Sequence, residues 1–217
     1  VSPRLQQAMD EVEAELHKQP QTVIPASLEP VVSVDIASGK GGKGQQFATP
    51  ADFVAAVYPL AEAVGAELGV DPKAIVAQAA LETGWGKFMI TDDQGRNSFN
   101  FFGIKADQRW AGERVEVMTH EFRQGIALKE RAQFRSYASL EDGLRDYADF
   151  LQSASRYQDA IGNNLGADEY GYALQRAGYA TDPQYGAKIQ RISRSDTLND
   201  ALQQLNNTTL PGVRNDV

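Results

Sequence analysis

The stretch 71–86, DPKAIVAQAALETGWG, carries the signals that start a helix and the signals that end one. Asp71 is a favourable N-cap, and Pro72 takes the first helical position, where a missing N–H costs nothing. Small and apolar residues fill the segment as far as Glu82, and two glycines then end it. The sequence therefore predicts an apolar helix with a carboxylic acid in its last turn.

Glu82 is the most informative residue of this stretch. The carbonyl end of a helix carries partial negative charge, so this field and apolar surroundings would together raise the pKa of an acid placed there. A glycosidase needs such a protonated acid for the leaving oxygen. The alternative is a surface glutamate paired with Lys87 or with a helix neighbour, and without further context this is the more common situation for a glutamate.

Apolar periodicity on both sides of this stretch predicts a mainly helical domain with one small β insert. A helix is predicted from about Pro50 to Leu68, and the alternating segment from Arg114 to Tyr137 predicts a β-hairpin that turns near Gln124-Gly125. Further helices are predicted after the Ser139/Asp142 capping box, around 157–161 and 170–177, and from Asp182-Pro183.

The two ends of the chain have a different character. Residues 5–16 show helical spacing, whereas the Pro- and Gly-rich segment that follows cannot bury enough surface to fold. We expect residues 1–48 to hold the end of an N-terminal module plus a flexible linker, residues 49–196 the folded domain, and residues 197–217 a weakly helical tail. The start at Val1 suggests a fragment or a processed product.

Composition narrows the classes of function. The net charge of −8 argues against nucleic acid, and an uncharged polymer such as a polysaccharide fits better, although acidity is more often a matter of solubility. The chain has no cysteine and two histidines, His17 and His120, so no metal site is expected. No segment is long and apolar enough to predict a membrane span.

A second carboxylate is harder to assign. Glu121 is in phase with Val115 and Val117 along the predicted strand, so it projects from their face. It is a functional candidate, but a solvated strand end is an equally good interpretation. Its rivals are Asp107, Glu113 and Glu116.

Aromatic residues cluster where loops are expected, and sugar rings stack on such side chains. The group comprises Phe99, Phe101, Phe102, Trp110, Tyr137, Tyr170, Tyr172 and Tyr179. Core packing is at least as good an interpretation for Phe101 and Phe102. Tyr179 lies between two predicted helices, where its hydroxyl is able to point into a groove.

Four segments together resemble the bacterial glucosaminidases of glycoside hydrolase family 73. They are Ala79–Gly86 (A-x-L-E-[ST]-x-[WY]-G in the family), Ser98–Lys105 (N-L-F-G-[IV]-K), Phe134–Tyr137 (F-R-x-Y) and Ala177–Pro183 (A-G-Y-A-T-D-P). The resemblance covers about residues 51–192 in unbroken order. Phe101 departs conservatively from the usual leucine.

The resemblance implies a lysozyme-like α+β fold, in which a helical lobe and a small β-hairpin lobe flank a substrate groove. It implies that Glu82 is the catalytic acid, Glu121 the second acidic residue, and Tyr179 a tyrosine needed for activity. The substrate-binding candidates are Trp85, Asn100, Phe101, Tyr137 and Tyr170. The implied reaction cleaves peptidoglycan between N-acetylglucosamine and N-acetylmuramic acid without a metal or organic cofactor.

Within the family, the arrangement is most similar to the flagellar enzymes that have an N-terminal rod-capping module. This implies flagellar rod proteins as partners and a periplasmic location, with export alongside the flagellum. Three roles of Glu121 stay open: a base for water, a nucleophile, or indirect assistance while the substrate's N-acetyl group attacks. A lytic transglycosylase and a non-catalytic glycan-binding or rod-assembly module remain alternatives.

Overall fold

The structure, a computed structural model, describes residues 46–123 and 126–209. The predicted helix at residues 5–16 and nearly all of the predicted linker lie outside the described residues, as do Gln124 and Gly125 at the predicted turn. The side chains of residues 119–130 also lie outside the described part.

The described chain forms six α-helices, one 3-10 helix and one two-stranded antiparallel sheet. In order these are α1 (Pro50–Leu68), α2 (Pro72–Thr83), β1 (Arg114–Arg123), β2 (Ile126–Arg135), α3 (Leu140–Ser153), the 3-10 helix (Ser155–Ala160), α4 (Ala167–Arg176), α5 (Tyr185–Ser193) and α6 (Asp196–Thr209). The prediction of a mainly helical α+β domain with one β insert is confirmed.

Local capping chemistry fixes the first two helices. The Thr49 hydroxyl accepts from the backbone N–H of Asp52 at 3.1 Å, and the Asp52 carboxylate accepts from the Thr49 N–H at 3.0 Å. Asp71 accepts from the N–H of Lys73 at 2.8 Å. Each cap satisfies N–H groups that a helix start leaves without partners. The predicted bounds of α1 and the predicted start of α2 are confirmed.

The helices α1 to α6 and the 3-10 helix together form the helical body of the domain, and α2 lies at its centre. It packs against α1, α4 and α5, and every residue from Ala74 to Ala80 is buried. A helix that is covered on all sides needs apolar or small residues around its whole circumference. Its end at Gly84, which adopts a left-handed φ of 56°, therefore delivers Glu82 from the core to the rim of the helical body.

The β-hairpin pairs β1 with β2 from Arg114 opposite Arg135 to Arg123 opposite Ile126. Its apolar contacts form a small separate cluster of Val115, Ala132 and Phe134, with Ile90 and Val117 packed against it. The predicted hairpin is thus confirmed, and it has a minor core of its own.

Three segments differ from the sequence-based expectations. Helix α5 begins at Tyr185 rather than at Asp182-Pro183, because the Asp182 carboxylate accepts from the Gln184 N–H at 2.8 Å and forms a turn first. Residues 155–160 form a 3-10 helix. Residues 196–209, mostly assigned to the tail, form α6, whose Leu198 and Ala201 are buried in the main core.

In the described part of the chain, no helix combines the length and the apolar character that crossing a membrane requires.

Candidate active site

The carboxyl group of Glu82 lies at the C-terminal end of α2 and is partly buried. The Tyr185 hydroxyl donates a hydrogen bond to Glu82 Oε1 at 2.6 Å. Burial raises the pKa of Glu82 to about 7, although the Tyr185 hydrogen bond acts in the opposite direction. The predicted rise in the pKa of Glu82 is therefore confirmed, with burial as its main cause.

The alternative of an ion-paired surface glutamate does not describe this residue. Among the side chains that the structure describes, none forms a salt bridge with Glu82, and Lys87 is exposed on the turn that follows. At neutral pH a carboxyl with a pKa of about 7 is partly protonated, so it is able both to give a proton and to take one back.

The turn after Glu82 has an unusual backbone. Gly84, Trp85 and Gly86 adopt φ values of 56°, 62° and 77°, so the non-glycine Trp85 is in the left-handed region. The Thr83 hydroxyl holds this turn, because it donates to the Ala79 carbonyl at 2.7 Å and accepts from the Gly86 N–H at 2.9 Å. The Trp85 ring is partly exposed and packs edge-on against Phe53 with a centroid distance of 5.9 Å.

A polar contact system continues behind Glu82. Gln78, one helical turn earlier, is fully buried, and its Nε2 donates to the Tyr185 oxygen at 3.0 Å. The Gln78 Oε1 accepts a short hydrogen bond from the hydroxyl of Tyr147, which also contacts the hydroxyl of Tyr170. These side chains link Glu82 to the centre of the helical body.

Tyr179 does not direct its hydroxyl into a groove, which corrects the sequence-based expectation. The residue is fully buried, and its hydroxyl donates to the Phe102 carbonyl at 3.0 Å. Its ring stacks on Tyr185 at a centroid distance of 5.8 Å and an interplanar angle of 22°. The contact of Tyr179 with the site in this structure is thus through the ring of Tyr185.

Three of the substrate-binding candidates are buried. Phe101 packs in the core near Phe53, and Tyr170 uses its hydroxyl on Tyr147. Asn100 donates to the carbonyls of Ile104 and Arg135, both at 2.9 Å. None of the three presents a surface on which a sugar ring is able to stack, because burial and internal hydrogen bonds already occupy them.

Tyr137 and Trp85, the other two candidates, remain partly exposed. The Tyr137 hydroxyl donates to Asp146 at 2.6 Å, and burial is the main reason that its pKa is raised. The same Asp146 accepts from Arg135 with both oxygens at 2.9 Å, and the Arg135 guanidinium lies 4.6 Å from the centre of the Trp110 ring. This cluster joins the end of β2 to α3.

The second carboxylate is placed only by its backbone. Glu121 lies in β1 opposite Leu128, and its side chain is outside the described part. Its rival Glu116 is paired with Arg131 at 2.6 Å, and Asp107 is paired with Arg109 at 2.5 Å. Glu113, the remaining rival, is exposed.

Among the side chains of residues 46–118 and 131–208, no group of three or more acidic, histidine or cysteine residues is arranged to hold a metal ion. The carboxyl group of Glu82, with the Tyr185 hydroxyl beside it, is suited to proton transfer.

Sequence reasoning missed two residues of the site, Tyr185 and Gln78. Tyr185 lies two positions after Pro183 in the last predicted helix, where no local signal distinguishes it from a core residue. Gln78 is the polar residue within the apolar run from Ala74 to Leu81, and it precedes Glu82 by four positions, which places both on one helix face. That spacing was a usable signal.

Comparison with known proteins shows the family to which the chain belongs. Residues 58–198 match the glucosaminidase family, described as mannosyl-glycoprotein endo-beta-N-acetylglucosaminidase. The peptidoglycan hydrolase FlgJ of Pseudomonas aeruginosa is 45% identical over 159 residues, which cover 73% of this chain and 39% of that protein. Six curated relatives of that name are matched over less than half of their own length.

Comparison with solved structures supports the same family. The peptidoglycan hydrolase from Sphingomonas sp. A1 superposes with a TM-score of 0.65 at 37% identity, covering 71% of this chain and 94% of that one. The glycoside hydrolase domain of Salmonella typhimurium FlgJ gives 0.60 at 34% identity, covering 74% and 94%. The predicted lysozyme-like fold and the predicted resemblance are confirmed, and the chain belongs to the glucosaminidase family.

Proposed function

We propose that this chain contains a peptidoglycan-cleaving endo-β-N-acetylglucosaminidase domain, with Glu82 as its catalytic acid. The observation that carries the proposal is the Glu82 carboxyl, which is partly buried, has a pKa of about 7 and receives a hydrogen bond from Tyr185. Relatives that are named peptidoglycan hydrolases support the choice of substrate.

In the proposed reaction, Glu82 gives its proton to the oxygen that links N-acetylglucosamine to N-acetylmuramic acid. The C1–O bond breaks, and the glucosamine ring develops oxocarbenium character. Negative charge then appears on Glu82, and the Tyr185 hydrogen bond stabilises this carboxylate more strongly than the neutral acid. Water adds to C1, and its proton returns the site to its starting state.

The role of Glu121 is part of the proposal. We assign it either to activation of the water that adds to C1, or to assistance from the hairpin while the substrate's N-acetyl group attacks C1 as the glycosidic bond breaks. Its phase with Val115 and Val117 along the sequence supports this assignment.

The setting of the reaction follows from the resemblance to flagellar enzymes. We propose that the protein acts in the periplasm, where local cleavage of the glycan strands opens a path for the flagellar rod. Rod proteins are then its partners, and cell fractionation should find the protein with the periplasmic contents.

Mass spectrometry of the products tests the proposed reaction directly. Digestion of purified peptidoglycan should release fragments with reducing N-acetylglucosamine ends. Fragments with anhydro-muramic ends would instead identify a lytic transglycosylase, and binding without any release of fragments would identify a non-catalytic module. Either result would overturn the proposal.

A further inference from the structure

Four buried side chains form one continuous hydrogen-bonded chain behind Glu82. Tyr170 contacts Tyr147, Tyr147 donates to Gln78, Gln78 donates to Tyr185, and Tyr185 donates to Glu82. The four side chains come from four different helices, and each is at most 2% exposed. The hydrogen bonds of this chain are therefore shielded from competition by water.

The amide of Gln78 gives the chain a direction, because its two ends are chemically different. Nε2 is only a donor and Oε1 is only an acceptor. Since Nε2 donates to the Tyr185 oxygen, the single hydroxyl proton of Tyr185 is left for Glu82. Since Oε1 accepts from Tyr147, the oxygen of Tyr147 is left to accept from Tyr170.

Tyr170 explains why this direction is preferred over the reverse. In the reverse arrangement the Gln78 amide would be turned over, and Tyr147 would donate to Tyr170. The Tyr170 hydroxyl would then need another acceptor, and within the described residues Tyr147 is its only hydrogen-bond partner. A buried hydroxyl proton without an acceptor is unfavourable, so Tyr170 donates and the whole chain points towards Glu82.

The direction determines which oxygen of Glu82 carries the acidic proton. Oε1 already accepts from Tyr185, so the proton of the neutral acid belongs on Oε2. Among the described side chains, Oε2 has no hydrogen-bond partner, and Glu82 is partly exposed. Oε2 is thus the oxygen that remains available to a substrate.

We propose that Gln78 is a positioning residue that acts through Tyr185 and keeps the transferable proton of Glu82 on Oε2. This inference rests on the proposed role of Glu82 as the acid. Gln78 touches neither the substrate nor the reacting atoms; it fixes the hydroxyl of Tyr185, which in turn fixes the protonation of Glu82.

Among the described residues, few titratable groups interact with Glu82. Tyr185 on α5 and Tyr179 before α5 are the titratable groups that interact with Glu82 in the described part of the chain. Both have a pKa raised well above the usual value, mainly by burial, so they stay neutral across the working range. The upper limb of the pH profile, where cleavage falls as the pH rises, therefore reports the deprotonation of Glu82.

The test is a double-mutant cycle measured as a pH profile of peptidoglycan cleavage. Gln78→Met keeps the length of the side chain but removes both hydrogen bonds, and Tyr185→Phe removes the hydroxyl. We expect Tyr185→Phe to lower kcat about tenfold and to move the upper limb about one pH unit higher, because the carboxylate loses its donor. Gln78→Met should shift both in the same direction by a smaller amount.

The double variant distinguishes positioning from a merely structural role. Because Gln78 acts through Tyr185, adding Gln78→Met to Tyr185→Phe should change kcat by less than about twofold. Tyr157→Phe is the matched control. Tyr157 is a buried tyrosine whose hydroxyl accepts a hydrogen bond from Arg156 and is not part of the series of hydrogen bonds that leads to Glu82. The variant should leave the pH profile at the wild-type position.

Equal effects of Gln78→Met in the presence and absence of the Tyr185 hydroxyl would overturn the proposal, as would an unchanged pH profile in Gln78→Met. If Gln78→Met does not fold, Tyr147→Phe, which frees one end of the amide, provides the same comparison. Failure of the wild-type protein to cleave peptidoglycan would refute the proposed function itself, which is a different outcome.

Discussion

The helical body and the β-hairpin differ in the size of the apolar core that their described side chains form. The helical body surrounds α2 with one continuous apolar core that includes Phe53, Phe101 and Leu144. Among its described side chains, the hairpin has a small cluster of Val115, Ala132 and Phe134. The comparison teaches that the proposed acid lies in the region with the larger described core, whereas the proposed second carboxylate lies on a strand whose described side chains form a smaller one.

The connection between the two regions is largely polar. Arg135 at the end of β2 pairs with Asp146 on α3 at 2.9 Å, with both side chains about 15% exposed. The backbone N–H of Arg135 donates to the Ile104 carbonyl at 3.0 Å, and that of Ala106 donates to Gln133 at 2.9 Å. Directional contacts of this kind fix the base of the hairpin against the rest of the domain.

Glu82→Gln should have the largest effect. It replaces the carboxyl that donates the proton with an amide of nearly the same shape. Cleavage should therefore fall about a thousandfold without loss of fold. Turbidity of purified peptidoglycan measures the rate, and circular dichroism measures the fold. Substantial residual cleavage by this folded variant would refute the assignment.

Phe101→Ala and Phe134→Ala compare the two cores directly, since both rings are fully buried. Phe101→Ala should lower the free energy of unfolding by about 4 kcal/mol. Phe134→Ala should cost about half as much, because the ring belongs to the smaller cluster and loses fewer apolar contacts. Urea unfolding followed by the helical signal measures both. Equal losses would contradict the difference expected between the two cores.

The pH dependence of stability should show a smaller effect of Glu82. Its pKa is about 7 in the fold against an ordinary value of 4.5, so its neutral form stabilises the fold below about pH 4.5 and this contribution is lost as the pH rises through 7. Glu82→Gln stays neutral, so its advantage over wild type should grow by about 2 kcal/mol between pH 5 and pH 8. Urea unfolding at both pH values measures this change, and a constant difference would contradict it.

Glu121→Gln and Glu116→Gln should have the smallest effects on cleavage, and they test the role of the hairpin. Glu121 is expected to contribute about tenfold to cleavage, because it assists the reaction and does not donate the proton to the leaving oxygen. Glu116 lies on the opposite face of the same strand and pairs with Arg131, so its variant should remain within about twofold of wild type. Equal rates for the two variants would remove Glu121 from the mechanism.

Much of the fold was accessible from sequence because its signals are local. The Thr49 and Asp71 caps, the apolar stripe of α1 and the alternation of the hairpin all act within a few residues. Helix α6 was underestimated, since its apolar positions gain meaning only when Leu198 packs against the core. The domain boundaries themselves remain a prediction.

The site was less accessible, because its contacts join residues far apart in the chain. The position of Glu82 in the last turn of an apolar helix made it a candidate, but the choice over a surface glutamate came from the resemblance of four sequence segments to the family. The partnership of Tyr185 with Glu82 and the burial of Tyr170 depend on how α2, α3, α4 and α5 pack, which no local pattern contains. Aromatic residues in expected loops were therefore assigned to sugar binding when several of them fill the core.

The left-handed backbone of Trp85 has a consequence for how the domain is able to change. A large side chain in this conformation costs about 1 kcal/mol or more, whereas glycine or asparagine would adopt it readily. Trp85→Gly would release this strain but would also remove the edge-on packing of the indole against Phe53. The lost packing offsets the relieved strain, so selection for heat resistance alone gives no simple reason to replace the indole at this turn.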